Sequence, residues 1–389
     1  MLIDELVGFS NFYGSDPSLV LASGGNTSAK ADGRMWVKGS GTALATITAQ
    51  GFVEIDLSKL GEIFEKSYPD SDSEREALVL QDLMASRVPG ETKRPSVETT
   101  LHALFPQTYV LHLHPAKVNG ITCSKGGESA ARRVIARDFI WIEQCRPGYV
   151  LAKLCRDKML EFKARAGKDC DMLLLENHGI FVAADTVDAL GEKLSFVLDS
   201  IDRSLSEKPD FDKTPTFDTE AQQALLSAFP QGTVCREVPF GVSKSFVGSA
   251  DAANELMRPF TPDHIVYCRA YPLWLDSVGE ADEKISAYNK NHGFMPRVIL
   301  LRGRGAPVGD ELPGKGDQRP GQPVLRGGRG AFCFGESEKR AATAEMLFED
   351  AADIAVYSRS FGGASHMTEE LTDFITNWEV EAYRSSQNG

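Results

Sequence analysis

Apolar positions in the first 205 residues fall into two kinds of segment. Some recur at helical spacing and predict helices over 2–13, 72–88, 149–165 and 185–205. Others are short continuous runs. Tyr109-Val110-Leu111 leads into His112, and DMLLLE covers Asp171–Glu176. Aromatic, β-branched and aliphatic content of this kind reads as buried strand. Phe181-Val182 is expected to continue the second strand past a kink at Asn177-His178-Gly179. Asp32-Gly33 is a strong hairpin turn signal, pairing Asn26–Lys30 with Arg34–Lys38. Ser96 is placed to cap a short helix running to Phe105.

The pattern changes after residue 205. Residues 206–218, SEKPDFDKTPTFD, are polar, hold two prolines and have no period, so they read as a linker. The chain then divides into a domain over 1–205, the linker, and a second α/β domain over 219–389. The second part carries DHIVYCRAYPLWL (263–275), RVILLRG (297–303) and a helix over 337–350. Residues 304–328 are rich in Gly and Pro, which predicts a long mobile loop. Skipping that loop, VILLRGRGA joined to FCFGESEKRAATAEML echoes LLLENHGIFVAADTVDALGEKL. TYVLHLHP likewise faintly echoes DHIVYCRAYP. The second half is therefore expected to be a degenerate copy of the first, with Tyr267 and Arg269 standing where His112 and His114 would.

Candidate chemistry concentrates in the first half. His112 and His114 are two apart, and residues two apart on a strand face the same way. His178 ends another strand. Burying several unpaired imidazoles costs free energy, and three imidazoles with one open position suit zinc. The HLHP and NHG stretches together point to a metal. Glu98, beside the HLH strand, is placed to act as general base or acid, or as a fourth ligand. His102 lies on the same helix face in a structural or supporting role. The glycine-rich corners at Gly24-Gly25 and Gly39-Ser40-Gly41 meet at the far end of the hairpin. Gly25, Asn26, Thr27, Ser40 and Gly41, with Lys38 close by, form a candidate anion cradle.

Composition narrows the class. The 389 residues are 42% hydrophobic and 25% charged, ordinary for a globular chain, with a net charge of −13 and no polybasic block. That argues against nucleic acid and anionic membranes as partners. The start MLIDELVGFS has no basic n-region, so no signal peptide is expected, and no apolar run is long enough to span a membrane. Seven scattered cysteines without C-x-x-C fit reduced thiols and a cytoplasmic location.

The ordered stretches GGNTSAK, MWVKGSGT, RPSVETTLH, HLHP and ENHG resemble the class II aldolase/adducin family over about 20–205. The second half resembles the remaining aldolase portion of larger bifunctional aldolase/dehydrogenase proteins, through TPDH near 261–264 and RGAFCFGES near 329–337. No G-x-G-x-x-G-led βαβ unit follows. The resemblance implies a three-layer α/β/α fold with a mostly antiparallel central sheet. It implies one zinc ion per chain, or another divalent metal, on His112, His114 and His178, with Glu98 as acid/base. It assigns Gly25, Asn26, Ser40, Gly41 and Ser96 to a phosphate cradle. One departure concerns the substrate: the fuculose-phosphate aldolase pattern has two serines directly before the acidic residue, and here Ser96-Val97 stand there. Lys38 is expected to compensate.

The implied reaction is reversible retro-aldol cleavage of a phosphorylated ketose through a metal-bound enediolate. Phosphopentulose 4-epimerisation and sugar-acid phosphate decarboxylation would use the same site. An adducin-like scaffold without catalysis is the non-enzymatic alternative. The resemblance further implies a homo-oligomer, with an assisting tyrosine sought at Tyr149 or Tyr383.

Overall fold

The computed structural model describes residues 2–215, 218–302 and 330–378, so the predicted loop 304–328 and Tyr383 lie outside the described residues. The chain divides into two compact units. The first takes Met1–Glu207 together with the described residues from Val356 onward, and the second begins at Lys208 and runs to Ala355.

The first unit is built on seven strands: β1 (Asn26–Ala31), β2 (Arg34–Lys38), β3 (Phe52–Asp56), β4 (Tyr109–Leu113), β5 (Ile140–Ile142), β6 (Met172–Leu175) and β7 (Gly179–Ala184). Their order is β3-β2-β1-β4-β7-β6-β5, and every pairing is antiparallel except β5 with β6. The β1–β2 turn uses positive φ at both Asp32 (49°) and Gly33 (73°), as the hairpin signal requires. Helices cover both faces. Leu6, Phe9 and Tyr13 of helix Leu2–Gly14 and Leu190, Leu194 and Val197 of helix Val187–Asp202 pack with Leu111, Leu113, Ile180 and Val182. On the other face Leu101, Phe105, Leu151 and Phe162 pack with Val110, Leu173, Phe181 and Ala183. This is a three-layer α/β/α fold with a mostly antiparallel central sheet. The alternation of Leu111 and Leu113 with Val110 and His112 across the two faces is the period-two rule at work.

Two local expectations change. Phe181-Val182 does not prolong the preceding strand: Glu176-Asn177-His178 reverse the chain, and β7 pairs antiparallel with β6. Asn177 makes the reversal in the left-handed region, at φ 54°. The second change concerns the C-terminal segment, assigned above to the second domain. From Val356 onward it packs with the first unit. Gly126 donates to the Phe361 carbonyl (3.1 Å), Ser365 donates to the Cys123 carbonyl (2.8 Å), and Phe361 joins the first core. Sequence period could not reveal this, because the contact is long-range.

The second unit carries β8 (Val234–Glu237), β9 (Leu273–Leu275), β10 (Val298–Leu301) and β11 (Gly330–Gly335), in the order β8-β11-β10-β9. Pairing sense repeats that of β4-β7-β6-β5: β9 is parallel to β10, and the other pairs are antiparallel. Register repeats too. Leu301 opposes Gly330 and Leu275, as Leu175 opposes Gly179 and Ile142. Trp274 occupies the place of Trp141. The echo of β6 and β7 in β10 and β11 therefore has a structural counterpart. The echo of the HLH strand in DHIVYCRAYP does not: Pro262–Cys268 is a helix, opened by a Thr261–His264 capping box with Pro262 in its first turn. The counterpart of β4 is β8. Glu237 faces Phe332 there, as His112 faces Phe181. Among the described residues no helix is long and apolar enough to cross a membrane.

Packing at Gly120 tests the docking of the C-terminal segment. A Cβ there would lie 2.3 Å from the Cβ of Tyr357, whereas one at Gly8, in an exposed turn of the first helix, meets nothing within 4 Å. Gly120→Ala is expected to lower stability by about 1–3 kcal/mol through overpacking. Gly8→Ala is expected to raise it by about 0.5–1 kcal/mol through helix propensity. Urea unfolding of the two variants against the parent checks both signs.

Candidate metal centre and its supporting network

Strand register brings the candidate residues to one end of the first sheet. Asn26 faces His112 across β1–β4, and His112 faces Phe181 across β4–β7. His114 lies one residue beyond β4, and His178 one residue before β7. The approach is close. A Cβ on Gly179 would sit 2.4 Å from the Leu113 carbonyl oxygen and 2.9 Å from Cδ2 of His114, so only glycine lets the two chain ends converge here. Gly25 (φ 60°) plays a similar part beside the His112 carbonyl, where a Cβ would fall at 2.8 Å.

The three imidazoles can each direct one nitrogen to a common point, with those atoms within 4.8 Å of one another. His112 is fully buried, stacks on Phe181 at 4.0 Å between ring centres, and its Nδ1 donates to the Ile180 carbonyl (3.0 Å). That bond leaves Nε2 as the lone pair, 2.9 Å from Nε2 of His114. Glu98 Oε1 lies 3.2 Å from Nε2 of both His112 and His178. It is buried and makes no hydrogen bond of good geometry. Lone pairs and a carboxylate oxygen gathered around one point, with a backbone carbonyl fixing one ring from behind, match what a divalent cation needs. The donor set fits such an ion. Burial pushes the Glu98 carboxyl upward, but His112 and His178 outweigh it and hold the group well below the ordinary carboxylate range.

Behind Glu98 runs a network that residue spacing did not disclose. Asn26 Nδ2 donates to Glu98 Oε2 (2.6 Å) and to Ser96 Oγ (3.3 Å). Asn26 Oδ1 accepts from His102 Nε2, and His102 Nδ1 accepts from Ser28 Oγ (2.8 Å). Burial drives His102 well below the ordinary imidazole value, and the charge of Lys30 adds to it, so the ring is neutral. The period-two pattern Asn26, Ser28 was the available signal, since both face His102 and Glu98.

Two cradle candidates take other roles. Thr27 points to the opposite face, where its hydroxyl bonds that of Ser10 (2.7 Å) and its side chain is fully buried. Alternation along β1 forces this: Asn26 and Thr27 cannot share a face. Lys38 is buried, and its ammonium donates to the carbonyls of Ser23 (2.7 Å) and Gly25 (2.6 Å). It braces the Gly24-Gly25 loop and does not supply the phosphate donor expected from it. Ser96 is not the helix cap either. Glu98 holds that position, and Ser96 Oγ accepts from the Glu98 amide (3.3 Å). Ser96 does stand with Gly25, Asn26 and Glu98. Ser40 is tied beside them through its amide to the Arg94 carbonyl (2.8 Å), next to a Gly39–Pro95 bridge, and Gly41 turns at φ 80°. Tyr149 packs against Tyr68 at 4.9 Å.

The model of the class II aldolase and adducin N-terminal domain matches residues 9–197. That stretch carries a class II aldolase and adducin N-terminal domain. Members of this superfamily are mostly metal-dependent lyases that bind phosphorylated sugars and often form oligomers. The uncharacterized oxidoreductase YuxG of Bacillus subtilis (strain 168) is 24% identical over 413 aligned positions. The alignment takes 98% of this chain and 58% of YuxG, so the chain spans less than two thirds of that relative. Among solved structures, the N-terminal class II aldolase domain of a conserved protein from Thermoplasma acidophilum is 28% identical. It covers 52% of this chain and 92% of that one, with a TM-score of 0.44. An L-fuculose 1-phosphate aldolase is 18% identical, covering 52% of this chain and 84% of its own, with a TM-score of 0.36.

The neutral His102 gives the first unit a pH signature. Its pKa is lower folded than unfolded, so the unfolded state binds more protons below about 6.5. Stability is therefore retained above that pH and falls below it, by about 1.4 kcal/mol per pH unit for one such group. His102→Gln removes this component. Urea midpoints measured across the range should fall less steeply on acidification for the variant than for the parent.

Proposed function

We propose that the first unit is a zinc-dependent aldehyde-lyase that cleaves a phosphorylated ketose by a reversible retro-aldol step. The observation that carries this reading is the meeting of His112, His114 and His178 with the buried, weakly satisfied Oε1 of Glu98. His112, His114 and His178 would hold the ion. A divalent ion there supplies Lewis-acid stabilisation of negative charge on substrate oxygens. Zinc suits an all-imidazole set with one further position.

The chain's own residues do the remainder. In a retro-aldol step a hydroxyl proton leaves, the adjacent C–C bond breaks, and its electron pair passes to the carbonyl-bearing fragment. That fragment's carbon then takes up a proton. Glu98 moves these protons at Oε1. Asn26 anchors the other oxygen, Oε2, so the reactive oxygen keeps its direction. Neutral His102 fixes the Asn26 amide by accepting from Ser28 and donating to Oδ1. Positioning of this kind lowers the barrier by holding the proton carrier within reach. The backbone around Gly25, the Ser96 hydroxyl and the Ser40-Gly41 corner supply the donors for the phosphate. Because Lys38 is spent on the loop, this cradle relies on hydroxyls and amides.

Zinc-loaded protein offered a panel of ketose 1-phosphates should release dihydroxyacetone phosphate, and chelation should abolish the release. Glu98→Gln should keep the metal and lose about 10²–10⁴ in kcat. If metal is retained but no ketose phosphate is cleaved, the retro-aldol reading gives way to 4-epimerisation or decarboxylation. If no metal binds at all, the scaffold reading replaces it.

A further inference from the structure

The second unit contains a pocket of about 420 Å³, at the end of its sheet where β8 begins and β11 finishes. Arg269, Arg297, Phe229, Phe294, Phe334 and Thr233 line it. Glu237, the counterpart of His112, stands at the other end of β8. The repeat has thus kept the strands of the metal unit and placed its cavity elsewhere.

Arg269 is the unusual member. Its backbone lies at φ 65°, ψ 160°, a region that is essentially reserved for glycine. Its guanidinium rests over the Phe294 ring, 4.6 Å from the centroid, and its Nε is buried without a hydrogen-bond partner. Among the described residues no carboxylate pairs with it. Burial and the nearby charge of Arg297 oppose its positive charge, and Glu336, which also lines the pocket, offsets part of that opposition from a distance without pairing with it. Arg297 is itself buried. It donates to the Tyr267 carbonyl (3.1 Å) and pairs with Glu336 (3.2 Å), whose side chain is largely exposed. Phe229 stacks on the buried Phe334 ring, 4.2 Å between centres and 8° from parallel. A strained backbone, an unpaired cation and a second arginine beside it together work against stability. An arriving anion would offset the last two, since guanidinium forks match carboxylate and phosphate oxygens. The cavity exceeds what one inorganic anion fills, and its phenyl walls favour a flat apolar body.

We propose that the second unit binds a small organic anion, its phosphate or carboxylate held by Arg269 and Arg297 and its ring body lying against Phe229, Phe294 and Phe334. This site is independent of the metal centre and of the reaction proposed for it.

Calorimetric titration of the full, zinc-loaded chain with phenyl phosphate, benzoate and inorganic phosphate tests it. Phenyl phosphate or benzoate should bind saturably and more tightly than inorganic phosphate. Arg269→Gly should weaken that binding by about tenfold or more, as expected for a lost charge-assisted contact. The same variant should raise the thermal midpoint of the ligand-free protein, because glycine relieves both the backbone strain and the repulsion from Arg297. Arg269→Lys, which keeps the charge, should retain part of the affinity. Ser96→Ala, in the first unit's cradle, should leave the affinity unchanged, separating this site from any phosphate bound beside the metal. Equal affinity in the parent and Arg269→Gly would overturn the proposal. So would weakening by Ser96→Ala alone, or the absence of saturable binding by any probe.

Discussion

Strand β4 lies between β1 and β7, and its register with both decides where the chemically active side chains meet. A slip of one residue in either ladder would send His112 or Asn26 to the opposite face. Hydrophobic burial resists such a slip. Leu111 and Leu113 belong to one core while Val110 and Phe181 belong to the other, so both faces of β4 hold the register. The candidate metal centre is therefore a consequence of packing that has no metal-binding role of its own.

That packing also sustains an electrostatically expensive site. A carboxylate and several imidazoles are withdrawn from water at one sheet end, and such groups are tolerated only when partnered. The partners come from three separate strands and one helix end. Asn26 is the pivot, because it touches Glu98, Ser96 and His102 together. Neutral His102 behind it adds no charge to the cluster, so the negative charge of Glu98 remains available to the imidazoles in front.

The second unit shows how little a strand scaffold commits a chain to one chemistry. Its four strands repeat the order, sense and register of β4-β7-β6-β5, yet Glu237 replaces His112, and a pair of arginines lines a cavity at the far end of the sheet. Function here follows side chains at strand ends, and these can change while the ladder stays fixed.

Much of this was written in local pattern. The Asp32-Gly33 hairpin, the buried runs at 109–113 and 172–175, the glycines at 25 and 179 and the three histidines with Glu98 were all legible, because turn chemistry, strand period and ligand type act over a few residues. What stayed hidden depended on which strands become neighbours. Period two alone separates Thr27 from Asn26, but only the β1–β4 pairing shows which face holds the candidate metal centre. Lys38 became a brace because its ammonium meets three carbonyls of a loop thirteen to fifteen residues away. DHIVYC became a helix through its capping box, although its apolar run reads equally as strand. Sequence by itself determined the elements and the kinds of reactive group. Tertiary structure alone decided which groups share a site, because long-range pairing, and not local preference, sets the distances between them.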